Sequence, residues 1–150
     1  MGIKRFTAAA AVLLAGTTLA FAAPKLTKDD AVAMVKQAVA EIKAVGPEKA
    51  YAEINSGKFR NGSLYIVVAG FNDVTLAHST NPKLVGKNMS EQQDVDGKFF
   101  SRDMGELARK GKPFWYAFKF VNPQTKKIET KDNYCEIVNE TRVCAGLYRS

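Results

Sequence analysis

Residues Leu64 to Asn88 read LYIVVAGFNDVTLAHSTNPKLVGKN, and this stretch decides the fold. Leu64 through Val68 are all strand formers. Five apolar residues in a row predict burial on both faces, or one face under a helix and the other lining a cavity. Phe71-Asn72-Asp73-Val74 reads as a hairpin turn, because Asn and Asp tolerate turn geometry and bond back to nearby backbone. Thr75 to His78 is then the return strand, and it carries the single histidine of the chain to its end. Beyond it, Pro82 and Gly86 break the chain into a shaped loop.

Outward from this stretch, the pattern on the N-terminal side is helical. Thr27 stands where an N-cap would, with Asp30 three residues on at the capping-box distance. Ala31, Val35, Ala38, Ile42 and Val45 recur at steps of four and three, which places them on one helix face. Gly46-Pro47 stops that long helix, and Glu48 to Ile54 makes a shorter one. On the C-terminal side, Asp94-Val95-Asp96-Gly97 lacks the further ligands of a calcium loop and reads as a turn and helix cap. Phe99 to Lys110 reads as a helix, with Phe100, Met104, Leu107 and Ala108 on one side. Pro113 to Val121 is a strong strand. Trp115, Ala117 and Lys119 point one way; Phe114, Tyr116, Phe118 and Phe120 point the other. Lys127 to Val138 and Arg142 to Tyr148 form a final hairpin around Asn139-Glu140-Thr141. Five strands with helices at the start and middle give an α+β fold on an antiparallel sheet.

The first residues have the form of an export signal. Lys4 and Arg5 precede an uncharged apolar run from Phe6 to Leu19, and Ala20-Phe21-Ala22 is an A-x-A cleavage site. The expected organisation is a signal peptide over 1–22 and one domain over 23–150, secreted to the periplasm. The run is short for a membrane span, and no later stretch is long and apolar enough, so no span is expected after cleavage. Losing Lys4 and Arg5 lowers the formal net charge from +7 to +5. A modest basic excess favours anionic small ligands. It does not argue for nucleic acid, since most charges alternate in sign along the chain.

Two cysteines in an exported chain read as a disulfide. Strand register supports the pairing. In a hairpin centred between Asn139 and Glu140, Val138 faces Thr141 and Cys135 faces Cys144. With a two-residue loop, the cysteines form a non-hydrogen-bonded pair about 4.5–5.5 Å apart at Cα, within disulfide range.

Chemistry-bearing motifs are scarce. The sequence contains no G-x-S-x-G, no Walker loop and no dinucleotide fingerprint. One histidine with scattered acids is commonplace, and C-x₈-C with one distant His makes a poor zinc site. No catalytic residue, metal site or cofactor is therefore expected, and the chain does not read as an enzyme. Binding remains. By itself, a histidine at a strand end more often bonds to local backbone than to a ligand. Aromatic residues at strand spacing are usually core, yet a dense aromatic strand beside a cavity also lines pockets, with Trp115 offering a polar handle. Lys119 shares a face with Trp115 and is either a solvated lysine or a pocket cation. Tyr65 fits a core tyrosine with its hydroxyl at a rim, and Met104 fits packing.

The run LAHSTNPKLVGKNM at 76–89 resembles the signature of single Cache domains, extracytoplasmic small-molecule sensing modules of bacteria. The resemblance continues in DVDGKFF, FWYAFKFVNPQTKK, KDNYCEIV and CAGLY, and covers about Leu26 to Tyr148. It implies a PAS-like order for the five-stranded sheet, a long N-terminal helix and a ligand pocket on the sheet. It also shifts the reading of His78, which falls at the histidine of the family's LAH-x-x-NP-x-L-x-G pattern. Lys131 and Tyr134 match a Lys-x-x-Tyr at the start of the family's penultimate strand, and Phe118 stands where the family often has Tyr. The ligand-binding set expected is Tyr65, His78, Met104, Trp115, Phe118, Lys119, Lys131 and Tyr134, with His78, Trp115 and Lys119 converging on one cavity. The expected function is periplasmic binding of a small molecule, with a short carboxylate the best match. Any signal would pass to a separate membrane sensor or another periplasmic protein. The rival is an exported accessory protein that uses the fold to grip a protein partner.

Overall fold

A computed structural model describes residues 25–149. The expected export segment lies outside the described residues. Helix α1 spans Lys28–Val45 and starts at a complete capping box: Thr27 Oγ1 accepts from the Asp30 N–H, and the Asp30 carboxylate accepts from the Thr27 N–H. Gly46, at φ 85°, ends it, and α2 follows at once over Pro47–Asn55. A two-residue strand β1 (Arg60–Asn61) precedes β2 (Leu64–Gly70) and β3 (Thr75–His78). Helix α3 covers Phe100–Ala108, and β4 (Phe114–Val121), β5 (Ile128–Val138) and β6 (Thr141–Arg149) complete the chain.

The sheet is antiparallel with the order β3-β2-β6-β5-β4, and β1 pairs with the start of β2. The small β1 is an addition to the five strands expected. The last and first long strands lie side by side in the middle, as the PAS-like arrangement requires. The final hairpin turns on two residues rather than three. Asn139 and Glu140 both have positive φ, 49° and 56°, the mark of a type I′ turn, and Thr141 already belongs to β6. Register then sets Cys135 opposite Cys144, and they are disulfide-bonded with Cα atoms 4.2 Å apart.

Strand alternation divides the molecule into two layers of side chains. On one face Leu64, Ile66, Val68, Ala77, Val143 and Ala145 pack under the Ala31–Val35–Ala38–Ile42 stripe of α1 and under α2. Tyr134 and Val138 of β5 also belong to this side. On the other face Cys135, Cys144 and Phe118 pack against Phe100 and Met104 of α3. Asp94 makes the turn expected but no helix cap. Its Oδ1 accepts from Asp96 and Lys98 N–H groups, its Oδ2 accepts from Lys119 N–H on β4, and α3 begins without a side-chain cap.

Candidate functional site

The second face holds a cavity of about 70 Å³ between the sheet, α3 and the loop over residues 79–99. At roughly 15 Å³ per water-sized group, it has room for about five such groups. Its apolar walls include Val67, Leu84, Met89, Met104 and Phe118.

A bulge delivers the histidine. Val67 faces His78, Val68 faces Ala77 and Ala69 faces Thr75, so Leu76 is the extra residue. Thr75 and His78 therefore both face the cavity although three positions separate them. The loop after β3 then fixes the imidazole. Its Nδ1 accepts from Asn81 N–H at 3.0 Å and Thr80 N–H at 3.3 Å, which leaves the proton on Nε2. Burial, and then the nearby Lys131 ammonium, lower the His78 pKa from 6.5 to about 4. At neutral pH the ring is an uncharged N–H donor, stacked on Tyr65 at 5.1 Å between centroids.

Lys131 is the charged member. It is 2% exposed and lines the cavity. Its Nζ lies 3.9 Å from the Tyr65 ring centroid and 5.4 Å from that of Tyr148, cation–π contacts that offset part of its desolvation. Among the described residues no carboxylate lies within salt-bridge distance of it. The Tyr148 hydroxyl donates to Val121 C=O at 2.9 Å, so the Tyr65 hydroxyl, 3.1 Å away, donates to Tyr148. Tyr65 thus keeps only acceptor capacity for other groups. Burial and the neighbouring Tyr65 push the Tyr148 pKa well up, so the Tyr148 hydroxyl stays protonated.

The other end of the cavity is an internal ion pair. Arg142 Nη2 meets Asp73 Oδ1 at 2.9 Å and donates to Ser101 Oγ at 2.6 Å, while Nη1 donates to Gly70 C=O at 3.1 Å. Both charged side chains are buried. Helix α3 comes close here because residue 105 is glycine. A Cβ at that position would stand 2.8 Å from Asp73 Oδ1. Arg142, Asp73, Ser101, Thr75 and Asn133 were not singled out from the sequence. Only their buried polar character marks them, and burial is not visible before the fold is known.

Of the residues expected to bind, the structure brings Tyr65, His78, Met104, Phe118 and Lys131 together around the cavity. Trp115, Lys119 and Tyr134 are elsewhere, so the expected convergence of His78, Trp115 and Lys119 does not occur. Alternation is the reason. Phe118 faces Lys131 on the cavity side, so its neighbour Lys119 and the same-parity Trp115 face away. Lys119 pairs with Asp96 at 3.0 Å and is partly exposed. Trp115, 38% exposed, packs on Tyr134 and lies beneath the Lys28 ammonium. Tyr134 is three positions from Lys131, hence on the opposite face, where its hydroxyl donates to Glu136. Among the described residues, no group of three or more His, Cys, Asp or Glu could hold a metal ion.

The family pattern of a single Cache domain, given in full as Single Cache domain 2, matches residues 2–141. The chain belongs to this family. Cache domains are sensor and binding modules. Solved structures agree on the fold. This Cache domain is similar to a methyl-accepting chemotaxis protein from Vibrio parahaemolyticus, with 18% identity, a TM-score of 0.70, and 81% of this chain and 87% of that one covered. It is similar to a Cache chemosensory domain described for carboxylic acid recognition, with 20% identity, a TM-score of 0.69, and coverages of 81% and 92%. A periplasmic sensor domain of a chemotaxis protein follows at 19% identity, TM-score 0.65, and coverages of 81% and 90%. None of the curated proteins matches the chain. Among the described residues, no helix is long and apolar enough to cross a membrane.

Proposed function

We propose that this Cache domain is an exported sensor module that binds a short monocarboxylate in the cavity beneath α3. The observation that carries this reading is Lys131, a buried cation facing the cavity with no acidic partner among the described residues. A buried charge is costly unless it is paired, and a ligand carboxylate would supply the pair. His78 adds an N–H donor that stays neutral beside the lysine. The apolar walls suit a short hydrocarbon tail, and the cavity volume suits an acid of about five heavy atoms. Recognition of carboxylic acids by a structurally similar Cache domain supports the same class.

A thermal-shift series tests this reading. Acetate, propionate and butyrate should raise the melting temperature, because a ligand that binds only the folded state stabilises it. The matching amides and alcohols should not. Equal shifts from propionamide and propionate would remove the charge argument, and no shift from any acid would favour a domain that grips a protein partner instead. In this proposal export follows from Lys4-Arg5, the apolar run and Ala20-Phe21-Ala22. Mass spectrometry of periplasmic protein should find Ala23 at the N-terminus. The signal would pass to a separate membrane sensor or another periplasmic protein.

A further inference from the structure

Lys131 starts on β5, yet its ammonium ends over Tyr65 on β2, with β6 lying between those strands. The side chain crosses β6 at Gly146. A Cβ built on Gly146 would stand 2.6 Å from Lys131 Cε, 2.8 Å from Lys131 Cγ and 2.0 Å from Asn133 Oδ1. Real Cβ atoms do not approach heavy atoms so closely. Gly146 sits directly opposite Asn133 in the β5–β6 register, with its missing side chain on the cavity face. Its φ is not in the positive region that favours glycine, so backbone conformation does not demand glycine here. What the position demands is space.

We infer that Gly146 is a positioning residue for the cavity: the absence of a side chain there is what lets Lys131 lie across β6 and bring its ammonium to the Tyr65–His78 end. This rests on the carboxylate reading for its effect on binding, though not for its effect on the geometry. An alanine at 146 keeps the strand but fills the passage. Lys131 then has to rise off the sheet or turn back toward β5, and either movement takes the ammonium away from His78.

The chain has one histidine, so its ring signal in an NMR titration reports this site alone. The experiment compares wild type, Gly146→Ala and Lys131→Met in two readouts. The first is the His78 titration midpoint without ligand; the second is propionate affinity. With Lys131 displaced, the midpoint should rise by about half a unit or more, toward that of Lys131→Met. Propionate should bind at least about tenfold more weakly to Gly146→Ala. A Gly146→Ala protein that binds propionate like wild type, or whose His78 midpoint stays at the wild-type value while that of Lys131→Met moves, overturns the inference. If wild type itself does not bind propionate, the ligand reading falls, and the ligand-free titration still decides the role of Gly146. If Gly146→Ala does not fold, Asn133→Ala/Gly146→Ala removes the tightest overlap and leaves the one with Lys131. The same shift in midpoint and loss of affinity are then expected of it, and wild-type values for either would overturn the inference.

Discussion

Two buried cations line one cavity, and they differ in what answers their charge. Arg142 is saturated by Asp73, Ser101 and the Gly70 carbonyl, all within the protein. Lys131 is as deeply buried and, among the described residues, is met only by aromatic faces. Burial works against the charged form at Arg142, and the Asp73 carboxylate works for it. The comparison separates a charge answered within the protein from one that no acidic group among the described residues answers. A paired buried cation fixes a turn and a helix, here the β2–β3 turn and α3. An unpaired one leaves a position that an anion can take.

The largest effect expected is at the paired cation. Arg142→Met would strand the Asp73 carboxylate in the interior and should cost about 3–5 kcal/mol of unfolding free energy. Urea denaturation checks it; a loss under about 1 kcal/mol would mean the pair is better solvated than its burial implies. Lys131→Met should move stability the other way. Replacing an unpaired buried ammonium with an apolar side chain of similar length should leave the ligand-free protein as stable as wild type or more stable by about 1–4 kcal/mol. A marked loss at Lys131→Met would erase the difference between the two ends.

The histidine beside Lys131 gives a pH signature. The unfolded chain takes up a proton near pH 6.5, and the folded protein does so only near 4, because His78 is buried beside Lys131. That contribution to stability is whole above about pH 6.5 and shrinks as pH falls through the window, by about 3 kcal/mol at its lower end. An NMR midpoint near 4 is expected, and a bound carboxylate should raise it. A midpoint above 6 would place His78 in solvent. The disulfide under the cavity floor comes next. Its loop is short, so Cys135→Ala/Cys144→Ala should cost about 3 kcal/mol or less, and the unfolded, non-reduced wild type should show no free thiol. Smallest is the far face of the sheet. Trp115→Ala loses an aromatic pair and a cation–π contact, about 1–2 kcal/mol, and should change propionate affinity less than about twofold.

Much of the architecture was legible because it rests on local rules. The Thr27–Asp30 capping box, the spacing of Ala31 to Val45 and the Gly46-Pro47 stop define α1 without tertiary information. The index sum of the last hairpin sets Cys135 against Cys144. Faces were harder. Alternation shows that Phe118 and Lys119 point oppositely, but not which of them meets the cavity, and the lysine's charge favoured the wrong side. The bulge at Leu76 brings Thr75 and His78 onto one face, and no residue there announces it. Asp73 reads as an ordinary turn residue until Arg142, 69 positions later, pairs with it. Gly146 looks like a gap in a strand. Its role appears only when the Lys131 and Asn133 side chains are seen lying over it.

Calorimetric titration of propionate into wild type and Lys131→Met puts the distinction between the two cations to the most direct test. Wild type should bind, and loss of the buried charge-assisted contact should weaken binding by about 2–4 kcal/mol, roughly 30-fold to 1,000-fold, in a variant that remains folded. Propionate binding to Lys131→Met with wild-type affinity would contradict the assignment of Lys131 as the carboxylate's partner.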